Sequence, residues 1–368
     1  MNPEVTAAII AASVSALTLI GTLAAQYFGR RATSRDTQEA LEEQRKQLDR
    51  TLAEQRTRTL NERFATAAEQ LGSDKPAVRL AGVYAMAGLA DDWPENRQTC
   101  IDVLCAYLRM PYEPDPGQDA PEGQRLAFQA IREVRHTVIR VITAHLQKDT
   151  TAPWCGADLD FTGVVFDGGK FVEAEFSGGT VSFNDAVFSD DRDRVSFVGA
   201  KFSGGRVSFR GAKFSGATVD FNIAEFSAGV VHFGGAEFSG GTVDFGAAQF
   251  SGSSVYFLGS EFSGGTANFG GAEFSGGTVN FSAMPLHGLT KIFVTEFSGG
   301  TVNFGGAKFS GSTVNFGGAK FSGSTVDFGS AKFSGGTVDF GDAGDWSFPP
   351  VFSWTDTPPS GVKLPKLA

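Results

Sequence analysis

The amino-acid sequence predicts a mixed fold, in which an N-terminal transmembrane helix and a helical region precede a parallel β-helix of stacked coils. Three observations predict it. A run near the amino terminus carries no charge, apolar residues then recur at helical spacing, and in the second half of the chain Phe recurs at intervals of five and seven. Composition changes along the chain predict domains at 1–30, 31–58, 59–150, 156–345 and 346–368.

Composition excludes several classes of protein. Of the 368 residues, 41% are hydrophobic and 20% are charged, so the chain can bury a core and is not a polar disordered protein. A net charge of -10 argues against direct binding of nucleic acid. Cys100, Cys105 and Cys155 form neither a disulfide framework nor a four-ligand zinc site, so no metal or other cofactor is expected.

The stretch at residues 5–28 predicts a single transmembrane helix. Its 24 uncharged residues would span roughly 36 Å, which exceeds the hydrocarbon core of a bilayer, about 30 Å. A cleaved signal peptide is the alternative, but the segment before the run has no Lys or Arg. Arg30, Arg31 and Arg35 follow the run, and the positive-inside rule then places the amino terminus outside and the bulk of the chain in the cytoplasm. The expected partner is the lipid bilayer of the cell membrane.

The same segment and the one after it predict how the anchor is used. Ala7, Ala11 and Ser15 are four residues apart, and small residues at this spacing would let two helices approach closely. A homo-oligomer is therefore also expected, although Ala-rich segments produce such spacing by chance.

Residues 31–58 are rich in Glu, Gln and Arg and contain no Gly or Pro. This composition is typical of a solvated helix, and we expect a stalk.

Residues 59–150 predict a small helical domain. Four apolar stripes at helical spacing can bury one another, and prolines and glycines separate them. His136 and His145 are nine apart on the last of these helices and have no ligand-like neighbours in sequence, so they are interpreted as surface or core histidines. The stripes are Leu60, Phe64, Ala67 and Leu71; Leu80, Val83, Tyr84, Ala87 and Leu89; Ile101, Leu104, Tyr107 and Leu108; and Phe128, Ile131, Val134, Val138 and Ile142.

An internal repeat dominates the second half of the chain. Of 35 Phe, 30 lie between residues 156 and 345, mostly in a unit of twelve such as VNFGGAKFSGST. At the start of this region Phe161, Phe166, Phe171 and Phe176 are five residues apart. The basic module is therefore a pentapeptide, and the unit of twelve is two pentapeptides with a two-residue spacer.

These modules resemble the pentapeptide-repeat family, whose motif is A-[DN]-[LF]-x-x. Ala157-Asp158-Leu159 and the later V-N-F and V-D-F triplets are close to it, and the resemblance covers residues 156–345, about half of the chain. With the predicted anchor, the chain resembles a membrane-anchored bacterial type. The resemblance implies a right-handed quadrilateral parallel β-helix with one pentapeptide on each face. The spacers would lengthen each coil of four pentapeptides from about 20 residues to about 24 residues.

The packing argument does not depend on the family. A pentapeptide can point one large and one small side chain inward and turn a corner on Gly, and coils stacked at about 4.8 Å pair the backbone amides of neighbouring coils. A flatter solenoid, in which each coil is a single unit of twelve, is the alternative. We favour the longer coil, because the shorter one would crowd two Phe into a narrow interior and would not fit the four plain pentapeptides.

Three segments depart from the period. Phe281 and Phe304 are one residue closer than two units of twelve, which predicts a continuous β-helix with Leu286 and Ile292 in core positions and Phe293 turned outward. Phe183 and Phe197 are two residues further apart than the unit, so residues 190–194 are expected to bulge at a corner. Residues 346–368 contain Trp, Phe and Pro and are expected to cap the last coil.

No catalytic constellation is recognised, so an enzyme is not expected. His232 is the one His within the regular repeats, and a coil of two units places it between Ser208 and Tyr256. It is interpreted as a surface histidine. The glycines occupy corners and lack the arrangement of a phosphate-binding loop.

Charge is the outward feature with a pattern. Residues 156–345 contain 20 Asp and Glu against 11 Lys and Arg, a balance of -9, and the position before the second Phe of the unit is acidic in the middle of the repeat and Lys at both ends. Glu237 and Glu261 would stack directly. The candidate interaction surface is Asp220, Glu225, Glu237, Asp244, Glu261, Glu273 and Glu296.

Together these features predict a general molecular function. We expect a membrane-anchored cytosolic scaffold that binds a protein partner which the sequence does not identify. The alternative is a regulator of a type II topoisomerase that mimics DNA, a property known in the family.

Overall fold

A computed structural model of the chain describes residues 3–113, 115–189, 194–285, 292–355 and 357–366. The chain divides into two compact units, Met1–Arg63 and Phe64–Ala368.

The first helix, α1, spans Pro3–Leu71, and no Gly or Pro interrupts it between residues 31 and 71. Side chains 40–59 are exposed, as expected of a solvated helix. Among the residues that the structure describes, no helix is long and apolar enough to cross a membrane, so the predicted transmembrane helix at residues 5–28 is not supported. The helical backbone continues past residue 28 into charged sequence. The side chains of Arg30, Arg31 and Arg35 lie outside the described residues.

Three further helices follow α1, and we call them, with the segments that join them, the helical domain. They are α2 (Pro76–Asp92), α3 (Arg97–Arg109), which follows a 3-10 turn at Pro94–Asn96, and α4 (Glu122–His145). Val83, Leu104 and Val138 are buried at the centre. Cys100 and Cys105 are buried as well, and burial raises the pKa of Cys105 to about 12. These thiols are structural.

The repeat forms about eight coils whose strands stack into four parallel sheets, which we call the first to fourth sides in chain order. Each side is listed from its first coil to its last. The first side is Leu159–Asp160, Thr180–Ser182, Arg206–Ser208, Val230–His232, Ser254–Tyr256, Thr278–Asn280, Thr313–Asn315, Thr337–Asp339 and Val362–Lys363. The second is Val165–Phe166, Val187–Phe188, Lys213–Phe214, Glu237–Phe238, Glu261–Phe262, Glu296–Phe297 and Lys320–Phe321. The third is Gly169–Lys170, Val195–Ser196, Thr218–Asp220, Thr242–Asp244, Thr266–Asn268, Thr301–Asn303, Thr325–Phe328 and Val351–Phe352. The fourth is Glu175–Phe176, Lys201–Phe202, Glu225–Phe226, Gln249–Phe250, Glu273–Phe274, Lys308–Phe309 and Lys332–Phe333.

Strand register confirms the 24-residue coil and excludes the shorter alternative. His232 pairs with Tyr256, two units of twelve further along the chain. The first coil is shorter, since Leu159 pairs with Val181, because it contains one two-residue spacer where the later coils contain two. The next is longer: Val187 pairs with Lys213, which confirms the two extra residues. The predicted bulge itself, apart from Arg194, lies outside the described residues.

One prediction about the coil path is wrong. Glu261 pairs with Glu296 and not with Pro285, so eleven residues are inserted into one coil. Met284–Pro285 and Ile292–Phe293 pair with each other as antiparallel strands and not with the coils above and below, so neither Ile292 nor Phe293 belongs to a pentapeptide face. Leu286 lies outside the described residues. The coil resumes at Thr295, which is fully buried and donates a hydrogen bond from Oγ1 to the Phe257 carbonyl oxygen at 2.8 Å.

Stacked Phe rings fill the interior. Phe233 lies 4.8 Å from Phe209 and 4.8 Å from Phe257, centroid to centroid, with nearly parallel planes. Inward Val and Ala, such as Val231 and Ala236, fill the space between ring columns. Burying each ring stabilises the fold by about 1.5–3 kcal/mol relative to leaving it exposed.

Both ends of the stack are covered. At the carboxyl end Phe352 stacks on Phe328, and Trp346 and Trp354 pack edge-on against Phe340 and Phe333, which agrees with the predicted cap. At the amino end, backbone groups of the first coil bond to the helical domain. Arg109 Nη1 donates to the Asp160 carbonyl oxygen, Arg135 Nη2 to that of Val165, Thr143 Oγ1 to that of Lys170, and Glu175 N to that of Leu146.

A buried carboxylate joins the helical domain to the first coil. Asp167 accepts hydrogen bonds from Tyr112 Oη at 2.6 Å, Arg132 Nε at 2.9 Å and His136 Nε2 at 3.0 Å. His145 similarly contacts Asp91. Both histidines are therefore bonded to carboxylates, His136 to one in the first coil and His145 to one within the helical domain. Sequence analysis missed their carboxylate partners because 31 and 54 residues separate them.

Candidate binding groove

The seven acidic residues predicted as an interaction surface do not form one surface. They lie on three sides of the β-helix, and the second and fourth sides are separated by the other two in chain order. Glu237, Glu261 and Glu296 are on the second side, Asp220 and Asp244 on the third, and Glu225 and Glu273 on the fourth.

Lysines flank the acidic column on the second side. Glu237, Glu261 and Glu296 occupy consecutive coils, and the like-charge pair of Glu237 and Glu261 forms as predicted. Lys213 Nζ lies 3.9 Å from Glu237 Oε2, and Lys320 Nζ lies 2.8 Å from Glu296 Oε1. On the fourth side Lys308 pairs with Glu273 at 2.6 Å. Repeat order thus places a cation beside these outer glutamates and reduces the local field of the columns.

The third-side aspartates bond within the β-helix. Asp220 is only 4% exposed, accepts a hydrogen bond from its own turn at Asn222 N, and pairs with Arg194 at 2.5 Å. Asp244 accepts from Gly246 N and from Asn268 Nδ2, both at 2.8 Å. Such bonds from an Asp to the amide two residues on stabilise turns, which gives these carboxylates a structural role.

Outward residues on the first side can be compared from coil to coil, because the repeat is regular. On the first side the regular segment is TVNF followed by two small residues, as at Thr278–Asn280 and Thr313–Asn315. Four consecutive coils depart from it: TVSFND, RVSFRG, VVHFGG and SVYFLG, starting at residues 180, 206, 230 and 254. Inward Val and Phe are kept in all four. The departures are confined to outward positions, so the requirements of the core do not explain them.

These residues line one shallow groove on the first side. Its volume is about 1250 Å³, and its outer positions carry Asn184, Arg206, Arg210, His232, Tyr256 and Leu258. Ser208, 6% exposed, and Gly234, which has no side chain, form its floor. Ligand pockets for small molecules are usually about 300–1,000 Å³. The groove is therefore large enough for an extended segment of polymer.

Hydrogen bonding fixes the protonation of the central histidine. Arg206 Nη1 lies 2.9 Å from His232 Nε2. A guanidinium only donates, so Nε2 must accept, and His232 is neutral with its proton on Nδ1. Burial, together with the nearby charges of Arg206 and Arg210, lowers the pKa of His232. The ring also stacks on Tyr256 at 4.9 Å, so the two rings form one aromatic surface.

The opposite part of the groove is polar and bonded. Asn184 Oδ1 accepts hydrogen bonds from Ser208 Oγ at 2.6 Å and from Arg210 N at 3.2 Å. These bonds fix the amide and leave its NH₂ group directed away from them. Among the described residues, Asp185 is the one carboxylate that lines the groove, against two arginines. A locally basic site thus lies on a domain whose sequence balance is -9.

The groove has the chemistry of a binding site. Arginines, an aromatic surface and hydrogen-bonding amides recognise ligands without reacting with them. Within the described ranges, no group of three or more His, Cys, Asp or Glu could hold a metal ion. Of the groove residues, sequence analysis singled out only His232 and its stack neighbours. A position-by-position comparison of the repeats would have shown the others.

Comparison with protein-family models, with curated proteins and with solved structures finds no match for this chain. The geometry agrees with the resemblance nonetheless, because a four-sided parallel stack with 24-residue coils is consistent with a pentapeptide-repeat fold.

Proposed function

We propose that the protein is a non-enzymatic interaction scaffold that holds the first-side groove rigid for a protein partner. The observation that supports this proposal is that departures from the repeat sequence, at outward positions of four neighbouring coils of the first side, line one groove. A scaffold needs a uniform core and a specialised surface, and the β-helix has both, since regular Val and Phe lie beneath the groove residues.

Rigidity gives such a groove an advantage in binding. Backbone bonds between coils hold each strand, and stacked rings lie beneath it, as Phe209 and Phe233 do. A partner that binds a preorganised surface does not have to offset the entropy of ordering it. The β-helix is thus suited to presenting fixed side chains along its axis.

Reversion of the groove to the repeat sequence tests the proposal. Arg206→Thr, Arg210→Gly, His232→Asn and Tyr256→Asn, combined, restore the regular outward residues without touching the core. The tagged full-length chain and this variant would be crosslinked in cells and their bound proteins compared by quantitative mass spectrometry. We expect bound proteins to be lost from the variant at least tenfold.

The matched control is Lys332→Gln, an exposed change on the fourth side. It should keep the bound proteins, and both variants should keep the thermal unfolding midpoint within a few degrees. An identical set of bound proteins in the reverted variant would refute the groove as the docking surface.

Attachment to the cell membrane through residues 5–28, with the amino terminus outside and the bulk cytoplasmic, stays a prediction from the uncharged run and the arginines after it. Alkaline carbonate extraction of the full-length chain tests it. Release into the soluble fraction would contradict it. Crosslinking of single-Cys variants along residues 5–28 tests the homo-oligomer, which helical periodicity with maxima at positions 7, 11 and 15 would support.

Regulation of a type II topoisomerase by DNA mimicry is a second candidate. The observation that favours it is the unbroken column of Glu237, Glu261 and Glu296. The lysines at its ends weaken the resemblance to DNA, which carries one charge per about 1.7 Å. A supercoiling assay with the purified protein decides it: inhibition at micromolar protein that Glu261→Gln reduces would support mimicry, and no inhibition would refute it.

A further inference from the structure

We infer that the groove takes an acidic segment of a partner protein, with one carboxylate held between Arg206 and Arg210 and an apolar side chain against the rings of His232 and Tyr256. This inference rests on the proposed function and names the chemistry of the partner.

The two arginines come from one coil and point the same way. Arg206 is an outward residue of the strand Arg206–Ser208, and Arg210 lies in the turn that follows it; both line the groove, and the charges of both act on His232. Arg206 and Arg210 are exposed and lie on either side of Ser208 in sequence. Planar guanidinium groups bind carboxylates through paired hydrogen bonds, so two of them on one coil favour a single anion above the Ser208 hydroxyl.

The hydrogen bond to His232 orients the Arg206 guanidinium. By accepting a hydrogen bond from Arg206, the neutral imidazole holds that guanidinium toward the next coil without adding a positive charge. Asn184 is fixed near the other arginine through its bond from Arg210 N. The two arginines are therefore hydrogen-bonded to residues on both neighbouring coils, Asn184 on the coil before and His232 on the coil after.

Charge favours an acidic ligand in the groove. The remaining outward charges of the repeat are mostly acidic, and Lys213, Lys308 and Lys320 already pair with glutamates. The described carboxylates that line the groove are limited to Asp185. An acidic segment is repelled by the glutamate columns and attracted here, so charge places it in the groove.

Spacing predicts the pattern of the segment. Neighbouring strands are about 4.8 Å apart, so the rings of His232 and Tyr256 lie about 5 and about 10 Å beyond the arginine coil. In an extended peptide, side chains two residues apart lie on one face and about 7 Å apart. An acidic residue followed two positions later by an aromatic or large apolar residue would place one on the arginines and the other on the rings.

Fluorescence polarisation with the full-length protein tests the inference. The probe is a labelled octapeptide, Gly-Glu-Gly-Phe-Gly-Glu-Gly-Phe, and its control carries Gln for both Glu. We expect binding of the first peptide, at least tenfold weaker binding of the second, and weakening as salt increases. Arg206→Gln with Arg210→Gln should weaken the Glu peptide at least tenfold, and Lys332→Gln should change it less than twofold.

Three results would overturn the inference: no binding of the Glu peptide at low salt, equal binding of the Gln peptide, or equal binding by the double variant. Displacement by millimolar inorganic phosphate, and not by the same ionic strength of chloride, would identify a phosphate site and would also overturn it. If the peptide fails but the reverted groove still loses bound proteins in cells, the scaffold stands and only the acidic ligand is wrong.

Discussion

Arg206 and His232 lie on adjacent coils of the first side, and the guanidinium of one donates a hydrogen bond to the imidazole of the other at 2.9 Å. The bond requires a neutral imidazole, so two potential cations lie side by side with only one of them charged. Protonation of His232 would remove the acceptor and place two positive charges in contact.

This pair predicts a pH dependence of stability. Burial and the two arginines lower the pKa of His232 in the folded chain, whereas the unfolded value is about 6.5. Between those values the unfolded chain binds more protons, so the free energy of unfolding falls as pH decreases from 7 toward 5. Urea titrations at several pH values should show this slope, and His232→Asn should reduce it. Tyr256→Asn keeps the imidazole and should keep the slope; an unchanged slope in the His232 variant would contradict the prediction.

The buried carboxylate Asp167 predicts a second loss of stability at lower pH. Burial alone would raise its pKa, but hydrogen bonds from His136 and Tyr112 and the charges of His136 and Arg132 lower it to about 2. The unfolded chain again binds more protons between the two pKa values. The contribution of Asp167 is therefore complete above the unfolded value of about 3.9 and lost as pH falls toward 2.

Asp167→Asn should lower the free energy of unfolding at pH 7 by about 1–3 kcal/mol, because it leaves partly buried donors without a charged acceptor. It should also flatten the loss of stability between pH 4 and 2, measured by guanidinium unfolding. Asp160→Asn is the control, since Asp160 pairs with Arg109 in a half-exposed ion pair worth less than about 1 kcal/mol. Equal effects of the two variants would show that burial of Asp167 adds nothing.

The core of the fold was predictable because Phe spacing records the coil. A ring every five or seven residues fixes which residue stacks on which, and the pairing of His232 with Ser208 and Tyr256 follows from that spacing alone. Reliance on Phe spacing is also why the insertion before Thr295 was not predicted. Eleven inserted residues are one short of the unit of twelve, so Phe281 and Phe304 kept nearly the expected distance although the chain between them leaves the regular path.

Removal of the insertion gives a direct test. Deleting residues 284–294 joins Ala283 to Thr295, so that Phe281 and Phe297 become five apart as in the other coils. The coils should close with the regular spacing, and shortening the loop should leave the urea unfolding midpoint equal or higher. Deletion of one residue fewer would shift the register and expose Thr295 or Phe297, so it should destabilise strongly. Equal stability of the two deletions would contradict the assigned register.

The groove was less predictable than the core because its information lies in departures from the repeat. A regular outward Asn gives no signal, whereas Arg206, Arg210 and Leu258 are single residues whose proximity depends on knowing the coil length. The acidic residues were predicted as a surface because they recur at fixed positions of the unit of twelve. Successive units lie on opposite sides of a 24-residue coil, so these residues are separated, and lysines and turn amides bind several of them.

The ring columns predict a large cost for a core truncation. Phe233→Ala should lower the free energy of unfolding by about 3–5 kcal/mol, because Phe209 and Phe257 lose the ring between them and strand pairing prevents the coils from closing the cavity. Phe348→Ala is the control, since that ring is 54% exposed and should cost less than about 1 kcal/mol. Urea unfolding measures both. Similar costs for the two variants would show that the stack can collapse around the gap.

Two glycines with nearly the same backbone angle predict different tolerance at the two kinds of corner. Gly235 has φ of 69° and open space where a Cβ would lie, and the equivalent positions Ile223 and Ala247 already carry side chains at φ of 54° and 52°. Gly241 has φ of 66°, but a Cβ there would overlap the carbonyl oxygen of Ala217 on the coil before. Gly235→Ala should therefore cost about 1–2 kcal/mol for the left-handed conformation alone.

Gly241→Ala should cost that amount and also the separation of two coils, because the obstructing atom is backbone and cannot rotate away. We expect at least twice the destabilisation of Gly235→Ala in matched urea titrations, together with faster amide exchange at Thr242, whose N–H bonds to the Ala217 carbonyl. The two variants add the same methyl group at nearly the same φ, so the difference between them measures the close approach of the coils. If they lose equal stability, backbone conformation and not coil spacing limits the residues allowed at this corner.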